Sequence, residues 1–234
     1  MSEENIEEQE VAQEELDNVV EESGEGTSIS LDKNTKILIG GLAVVVLAIG
    51  GWWAWNKFFV EPAELKAQDE IWWAQNMVHF KEDYKSALQG DTLGLYEGFE
   101  SLSDEVAGTN AEQIKNYETG IAYLNDGQYD MARQHLQNVD FGDVMVTTIA
   151  KGAIGDSYMQ EGDANNAISF YEQAINNSDN DFTCPLYLKK CAFAHESLQQ
   201  WDAAIAHYER IKKDFPNSAE AEGVDKYIVK AKSM

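Results

Sequence analysis

The longest apolar run of the chain covers 19 residues, Ile37 to Trp55, and contains neither a charged residue nor a proline. As an α-helix it would be about 28 Å long, close to the ~30 Å hydrocarbon core of a bilayer. Trp52, Trp53 and Trp55 cluster at its C-terminal end, and indole side chains favour the headgroup level of a membrane. The pattern predicts a transmembrane anchor, which we place at residues 33–60.

Two other structures remain open for this run. A buried core helix of a soluble protein is also apolar, although it rarely runs this far without a polar face. A cleaved signal peptide is the second alternative, because Ala48-Ile49-Gly50 has the small residues of a cleavage site. Against cleavage, 36 mostly polar residues precede the run, and bulky Trp52 and Trp53 follow the small residues. We therefore predict an uncleaved anchor.

After the anchor, the chain has helical periodicity and no sustained alternation of apolar and polar positions that would predict strands. Apolar residues three to six positions apart predict a helix over 63–88, with Pro62 at its first turn. Gly90-Asp91 breaks this pattern, and a shorter helix is predicted from Leu93 to Val106. Residues 61–108 are thus expected to form an N-terminal helical hairpin.

A motif then occurs three times within residues 109–234, with spacings of 35 and 37 residues. Each copy has a small residue, a ring three positions later, an alanine nine positions after that, and a large side chain four positions further on. These positions are Gly120, Tyr123, Ala132 and Leu136 in the first copy, Gly155, Tyr158, Ala167 and Tyr171 in the second, and Ala192, His195, Ala204 and Tyr208 in the third.

The motif resembles the tetratricopeptide (TPR) repeat, a 34-residue helix–turn–helix unit. Its small residues let the two helices of a unit approach closely, and its aromatic residues fill the space toward the next unit. Together with the predicted anchor, the resemblance predicts an all-α protein: a single N-terminal transmembrane helix followed by a TPR-like α-solenoid of three repeats plus a capping helix. That last helix is predicted from Asn217 to Lys232, with Ala219, Val224, Ile228 and Val229 directed inward.

Charge is distributed unevenly along the chain. The net charge is −25, and residues 1–32 contain 12 acidic and no basic residues. Such a segment buries too little apolar surface to fold, so it is predicted to be a disordered acidic tail. Nucleic acid is not expected as a partner, because phosphate binding requires a basic surface. Lys33 and Lys36 precede the apolar run Ile37 to Trp55 and Lys57 follows it, which predicts a cytoplasmic N-terminus and a periplasmic TPR domain.

No catalytic, cofactor-binding or metal-binding residue is predicted, and the protein is not expected to be an enzyme. His195-Glu196 begins like a zinc-protease HExxH motif, but Gln199 stands where the second histidine belongs. The histidines are separated in sequence, and His195 occupies a repeat packing position. Cys184 and Cys191, seven residues apart on one helix, would be about 10 Å apart, too far for a disulfide.

Trp72 and Trp73 are the candidate partner-binding residues. Adjacent side chains on a helix point about 100° apart, so one can pack while the other is exposed. An exposed tryptophan is a good anchor for a partner protein. The alternative is that both tryptophans are core residues.

The whole layout resembles the YfgM-type membrane-anchored TPR proteins, ancillary subunits of the bacterial SecYEG translocon, in their Bacteroidota form. The resemblance covers roughly residues 35–232, and the segments that carry it are 87–91, Gly98-Phe99, 155–158 and 179–188. It implies binding to the translocon, to a membrane-anchored periplasmic prolyl isomerase or to emerging envelope proteins, at the bacterial inner membrane, without cofactor or small-molecule substrate. The alternative function is a TPR scaffold in another cell-envelope complex, for cell-wall or outer-membrane assembly.

Overall fold

The computed structural model describes residues 32–102, 106–177 and 179–234, and the chain divides into two compact units between Asn56 and Lys57. The acidic tail predicted over residues 1–32 lies, apart from Asp32, outside the described residues. In the first unit, helix α1 covers Lys33–Trp55.

Helix α1 is apolar on all sides. Its 23 residues span about 34 Å at ~1.5 Å per residue, enough for the ~30 Å core of a bilayer. Among the described residues, one helix, which begins at Lys33, is long and apolar enough to cross a membrane. No residue in the most apolar stretch of this helix is buried. The core helix of a soluble protein would be mostly buried, so this alternative is disfavoured.

The second unit is helical, and the described residues contain no strand, which confirms the all-α prediction. Five-residue π-helical segments cover Asn56–Val60 and Met77–Lys81, and a 3₁₀ turn covers Ala219–Ala221. The α-helices are α2 (Glu61–Asn76), α3 (Tyr84–Gln89), α4 (Asn110–Asn125), α5 (Tyr129–Gln137), α6 (Val144–Glu161), α7 (Ala164–Asn177), α8 (Thr183–Ser197), α9 (Trp201–Asp214) and α10 (Val224–Lys232).

Helices α4 to α9 form three consecutive hairpins, and each helix from α4 to α10 packs against the next in the chain. The first helices of the hairpins, α4, α6 and α8, also contact one another in order. Helices α2 and α3 pack on α4 and extend the stack at its N-terminal end. This is the arrangement of a solenoid, in which each unit contacts its neighbours.

The three hairpin turns share one backbone geometry. Gln128, Asp163 and Gln200 each donate their N–H to the carbonyl oxygen five residues earlier, at 2.9 Å. The residue before each donor has a positive φ: 81° at Gly127, 84° at Gly162 and 58° at Gln199. A left-handed residue at this place closes a helix in the Schellman manner and reverses the chain, which explains why two of the three are glycine.

The paired helices approach each other closely at the small motif residues. A Cβ atom placed on Gly120 would lie 2.5 Å from Cγ of Leu136, and one on Gly155 would lie 2.6 Å from Cε1 of Tyr171. Both distances are far below van der Waals contact, so a methyl group does not fit. A third close approach lies outside the repeated motif: a Cβ atom placed on Gly152 would lie 1.9 Å from Cε1 of Tyr187 in the next hairpin.

Between α2 and α4 the structure differs from the prediction in two places. The helix expected over 63–88 is interrupted after Lys81, because Glu82 is left-handed (φ 53°) and the Asp83 carboxylate caps α3 by accepting the Ser86 N–H at 3.1 Å. The predicted helix from Leu93 to Val106 is wrong over residues 93–102, which form turns, bends and irregular backbone, whereas Val106 is helical.

Local hydrogen bonds explain the missing helix. The Asp91 carboxylate accepts the N–H groups of Leu93 at 3.3 Å and Tyr96 at 2.8 Å, which folds the segment into a turn instead of a helix. Phe99 N–H then donates to the Ala87 carbonyl at 2.9 Å and ties the loop to α3. The apolar periodicity of the loop reflects Phe99 and Leu102, which are buried without forming a helix face.

The C-terminal cap is shorter than expected. Val224 and Ile228 are buried as predicted, but Val229 is 68% exposed and Ala219 is also exposed, so their predicted inward orientation is wrong. The left-handed Gly223 (φ 74°) separates the 3₁₀ turn from α10. The helix therefore starts at Val224, and its buried positions follow at Ile228 and Ala231.

The close approach of α6 and α7 predicts a loss of stability for Gly155→Ala. Alanine is preferred over glycine inside a helix by ~1 kcal/mol, so a gain would be expected without the contact. Because Tyr171 is 2% exposed and its hydroxyl is held by Asp156 at 2.7 Å, the ring has little room to move. We expect the free energy of unfolding of the full-length protein to fall by about 1–3 kcal/mol in urea titrations. Ser169→Ala, on the exposed face of α7, is the control and should change it by less than ~0.5 kcal/mol.

Candidate functional site

The predicted packing residues lie inside the hairpin stack. Nine of the ten assigned packing positions are buried, and Tyr158 is half-buried. The buried set consists of Gly120, Tyr123, Ala132, Gly155, Ala167, Tyr171, Ala192, Ala204 and Tyr208. Their side chains are therefore occupied by the fold and leave binding to the surfaces around them.

Each hairpin contains an equivalent pair of rings, one on each of its helices. Tyr123 stacks with His135 and Tyr158 with Phe170, both at 5.5 Å between ring centroids, and His195 stacks with His207 at 5.3 Å. In the second and third hairpins the last motif position is a tyrosine, and its ring stacks on the following element. The ring centroids are 6.3 Å apart for Tyr171 and Tyr187 and 5.4 Å apart for Tyr208 and Tyr227. Rings thus connect the two helices of each hairpin, the second hairpin to the third, and the third hairpin to α10.

A carboxylate accepts the hydroxyl of each deeply buried motif tyrosine. Tyr123 donates to Glu100 at 2.5 Å, Tyr171 to Asp156 at 2.7 Å and Tyr208 to Glu196 at 2.9 Å. Burial, reinforced by these carboxylates, raises the pKa of all three tyrosines above the usual range. The hydroxyls therefore stay protonated and act as structural donors.

An open cleft of about 470 Å³ lies along the first helices of the hairpins. Leu124 and Asn125 line it from α4, Asp156 and Gln160 from α6, and Lys190 from α8. Asp156 also accepts the Lys190 ammonium at 2.6 and 2.8 Å. Because that carboxylate already holds Tyr171 and Lys190, it is a paired structural group and offers no free base for catalysis.

Arg133 links the first hairpin to the second. The guanidinium of this buried α5 residue donates to Glu161 at 2.5 Å and to Ser157 at 3.3 Å, both on α6, and pairs with Asp130. It also lies 4.3 Å from the centroid of the Tyr158 ring. A fork of donors over an aromatic face is a geometry that lysine cannot reproduce.

The two adjacent tryptophans of α2 have different environments. Trp72 is 62% exposed, so the alternative in which both are core residues is wrong. Trp73 is half-buried and stacks parallel on Tyr96, with centroids 5.3 Å apart. The loop that carries Tyr96 also exposes Leu93 and Leu95. An aromatic platform next to exposed leucines could not be found from the sequence, where residues 93–106 predicted a helix.

A cluster of potential metal ligands lies in the third hairpin. Cys191, His195 and His207 each place one ligand atom within 4.8 Å of the others. Burial raises the pKa of the Cys191 thiol to about 12 and lowers the pKa of His207 to about 4. Cys184 is also free and buried but lies outside this cluster. The sequence analysis considered the histidines individually and missed their contact, although Cys191 and His195 are spaced i, i+4.

Two family models, both described as tetratricopeptide repeat, match residues 150–181 and 190–218. These ranges fall on the second and third hairpins, and the first copy of the motif lies outside them. No curated protein matches the chain, so the YfgM-type resemblance remains a prediction. The chain therefore carries TPR repeats, whose general role is to hold other proteins on a non-catalytic scaffold.

The Arg133 contacts predict that Arg133→Met weakens the packing of the first hairpin on the second and lowers the free energy of unfolding. Methionine keeps part of the side-chain volume but leaves Glu161 and Ser157 without their donor. Since Asp130 is largely exposed, we expect a moderate loss of about 1–3 kcal/mol in the free energy of unfolding. Arg210→Met is the matched control, because Arg210 is 41% exposed and meets Asp214, Asp179 and the Cys184 sulfur only at 3.6, 3.9 and 4.0 Å. Equal effects of the two variants would contradict the assigned role.

Proposed function

We propose that this protein is a membrane-anchored adaptor whose TPR domain binds partner proteins at the Sec translocon, on the periplasmic face of the bacterial inner membrane. The combination of an unburied apolar helix with TPR repeats in one chain carries the proposal. The YfgM-type resemblance suggests the partners: the SecYEG channel, a membrane-anchored periplasmic prolyl isomerase and emerging envelope proteins. The role is chaperone-like and involves no catalysis.

The surface around Trp72 is the candidate contact for such a partner. On α2, the buried Ile71 and Ala74 face the core, whereas Trp72 and Leu65 are exposed. Tryptophan is enriched among the residues that dominate binding energy in protein interfaces, because its large rigid surface can be desolvated at low entropic cost. Trp73 supports this surface through its stack on Tyr96.

The polar groups of the cleft fit a role in recognition rather than in reaction. Its acidic group, Asp156, is held by Tyr171 and Lys190. The side-chain amides of Asn125 and Gln160 line the cleft; Asn125 Nδ2 donates to the Ile121 carbonyl at 2.8 Å, which leaves its Oδ1 to accept from an extended or helical segment, and Gln160 can bond the same segment. A TPR cleft of this kind binds through shape and hydrogen bonds, so its partners are proteins.

Trp72→Ala should weaken capture of SecY channel proteins in crosslinked, detergent-solubilised membranes. Truncation of a tryptophan that dominates an interface costs at least ~2 kcal/mol, about a 30-fold loss of affinity. The control is Phe182→Ala, which removes an aromatic side chain of similar exposure, 70%, next to α8. We expect Phe182→Ala to retain the wild-type recovery of SecY and Trp72→Ala to lose most of it.

The same experiment tests the alternative function. Recovery of a stable complex for cell-wall or outer-membrane assembly, without SecY, would overturn the translocon assignment and favour the envelope scaffold. Wild-type recovery of SecY with Trp72→Ala would show that the contact does not depend on the Trp72 surface, and equal loss of SecY in both variants would contradict a specific role of Trp72.

The proposed orientation predicts that protease added to intact spheroplasts digests the TPR domain. The lysine bias around the anchor predicts a cytoplasmic N-terminus, so an epitope at the N-terminus should stay protected until the membrane is permeabilised. Protection of the TPR domain in intact spheroplasts, with digestion after permeabilisation, would contradict the proposed orientation and indicate a cytoplasmic TPR domain.

A further inference from the structure

The third hairpin differs from the other two at its ring pair. The pair is Tyr123 with His135 in the first hairpin and Tyr158 with Phe170 in the second, but His195 with His207 in the third. Four residues before the first ring, the first two hairpins hold a buried threonine and a buried isoleucine, Thr119 and Ile154, whereas the third holds Cys191. The same packing is thus achieved twice without any thiol and without a second imidazole, so the Cys–His–His set is not required by the fold.

The spacing within the set suits a tetrahedral metal ion. Cys191 and His195 lie one turn apart on the same face of α8, and His207 faces them from α9. The distance from Cys191 Sγ to His207 Nε2 is 3.5 Å. A tetrahedral zinc ion, with Zn–S of ~2.3 Å and Zn–N of ~2.0–2.1 Å, separates a sulfur and a nitrogen ligand by about 3.5 Å.

Gln200 orients one of the two imidazoles. Nδ1 of His195 lies 2.6 Å from the side-chain oxygen of Gln200. In the tautomer in which Nδ1–H donates to that oxygen, the lone pair is on Nε2, which is then available as a ligand. A hydrogen bond on the second ring nitrogen is the usual way in which a protein fixes a metal-binding histidine.

We propose that Cys191, His195 and His207 form a binding site for a thiophilic divalent transition-metal ion, best suited to Zn²⁺, with water in the fourth position. Binding is a ligand exchange without redox chemistry: the ion forms one bond to the Cys191 sulfur and two to neutral imidazoles, and the thiol proton passes to solvent. Cys191 is fully buried while both imidazoles are half-buried, so an ion can enter from the imidazole side. The ion would link α8 to α9.

The test uses the full-length protein in detergent after treatment with a chelator. The protein should bind one equivalent of Zn²⁺, which should raise its unfolding temperature. With Co²⁺ it should show the near-ultraviolet charge-transfer absorption of a cobalt thiolate. Mg²⁺ and Ca²⁺ prefer oxygen ligands and should do neither. Absence of the cobalt–thiolate absorption would overturn the proposal.

Matched variants identify the ligands. Cys191→Ser should abolish the cobalt–thiolate absorption, whereas Cys184→Ser, at the other buried cysteine, should retain it. His195→Tyr and His207→Phe place the residues of the second hairpin at these positions, so they should preserve the fold and weaken zinc affinity at least ~100-fold. Gln200→Ala should weaken it about 10-fold through loss of orientation.

If Cys191→Ser fails to fold, the two histidine variants test the proposal instead. Their far-ultraviolet circular dichroism should match that of the wild type, and their zinc affinity should be weaker. Wild-type affinity in a folded His207→Phe protein would place the ion elsewhere in the chain and overturn the proposal.

Discussion

The close approach of the two helices within each hairpin is the constraint on which the remaining structure depends. Where Gly155 faces Tyr171, and Gly120 faces Leu136, no side-chain atom fits between the backbone and the opposing side chain. Isolated helices of 9 to 18 residues are marginal in water, so this contact stabilises each helix through its partner. Every later hairpin is then positioned by the large side chains that extend from this contact toward the next unit.

Burial of the motif tyrosines creates a second requirement, since each hydroxyl needs an acceptor. Glu100, Asp156 and Glu196 provide it, and Lys190 and Lys230 in turn pair with Asp156 and Glu196. The cleft chemistry is therefore a consequence of core packing. Because these polar groups are already engaged, what remains for a partner is shape, amide hydrogen bonding and exposed apolar surface, which are the properties of a scaffold.

Two apolar surfaces of the described residues are exposed. Helix α1 exposes its apolar side chains along its length, and α2 exposes Trp72 beside the buried Ile71 and Ala74. In the proposed function a bilayer would cover the first and a protein partner the second. The third hairpin adds a ligand set that packing does not require, because its two neighbours pack the same positions with other residues. Anchor, docking surface and metal site would thus be separate additions to one repeated unit.

The sequence by itself determined the features that depend on local spacing. An uncharged run of 19 residues predicts an apolar helix, and the recurrence of Gly120, Gly155 and Ala192 predicts the hairpins. Both signals depend only on spacings within one helix or one helix–turn–helix unit. Only the tertiary structure decided which side chains meet. The Asp91 carboxylate turns a segment with helical periodicity into a loop, and Gly223 shifts the start of α10 so that Val229 faces solvent. The cluster of Cys191 with His207 likewise arises from the distance between two helices, which no spacing within either helix specifies.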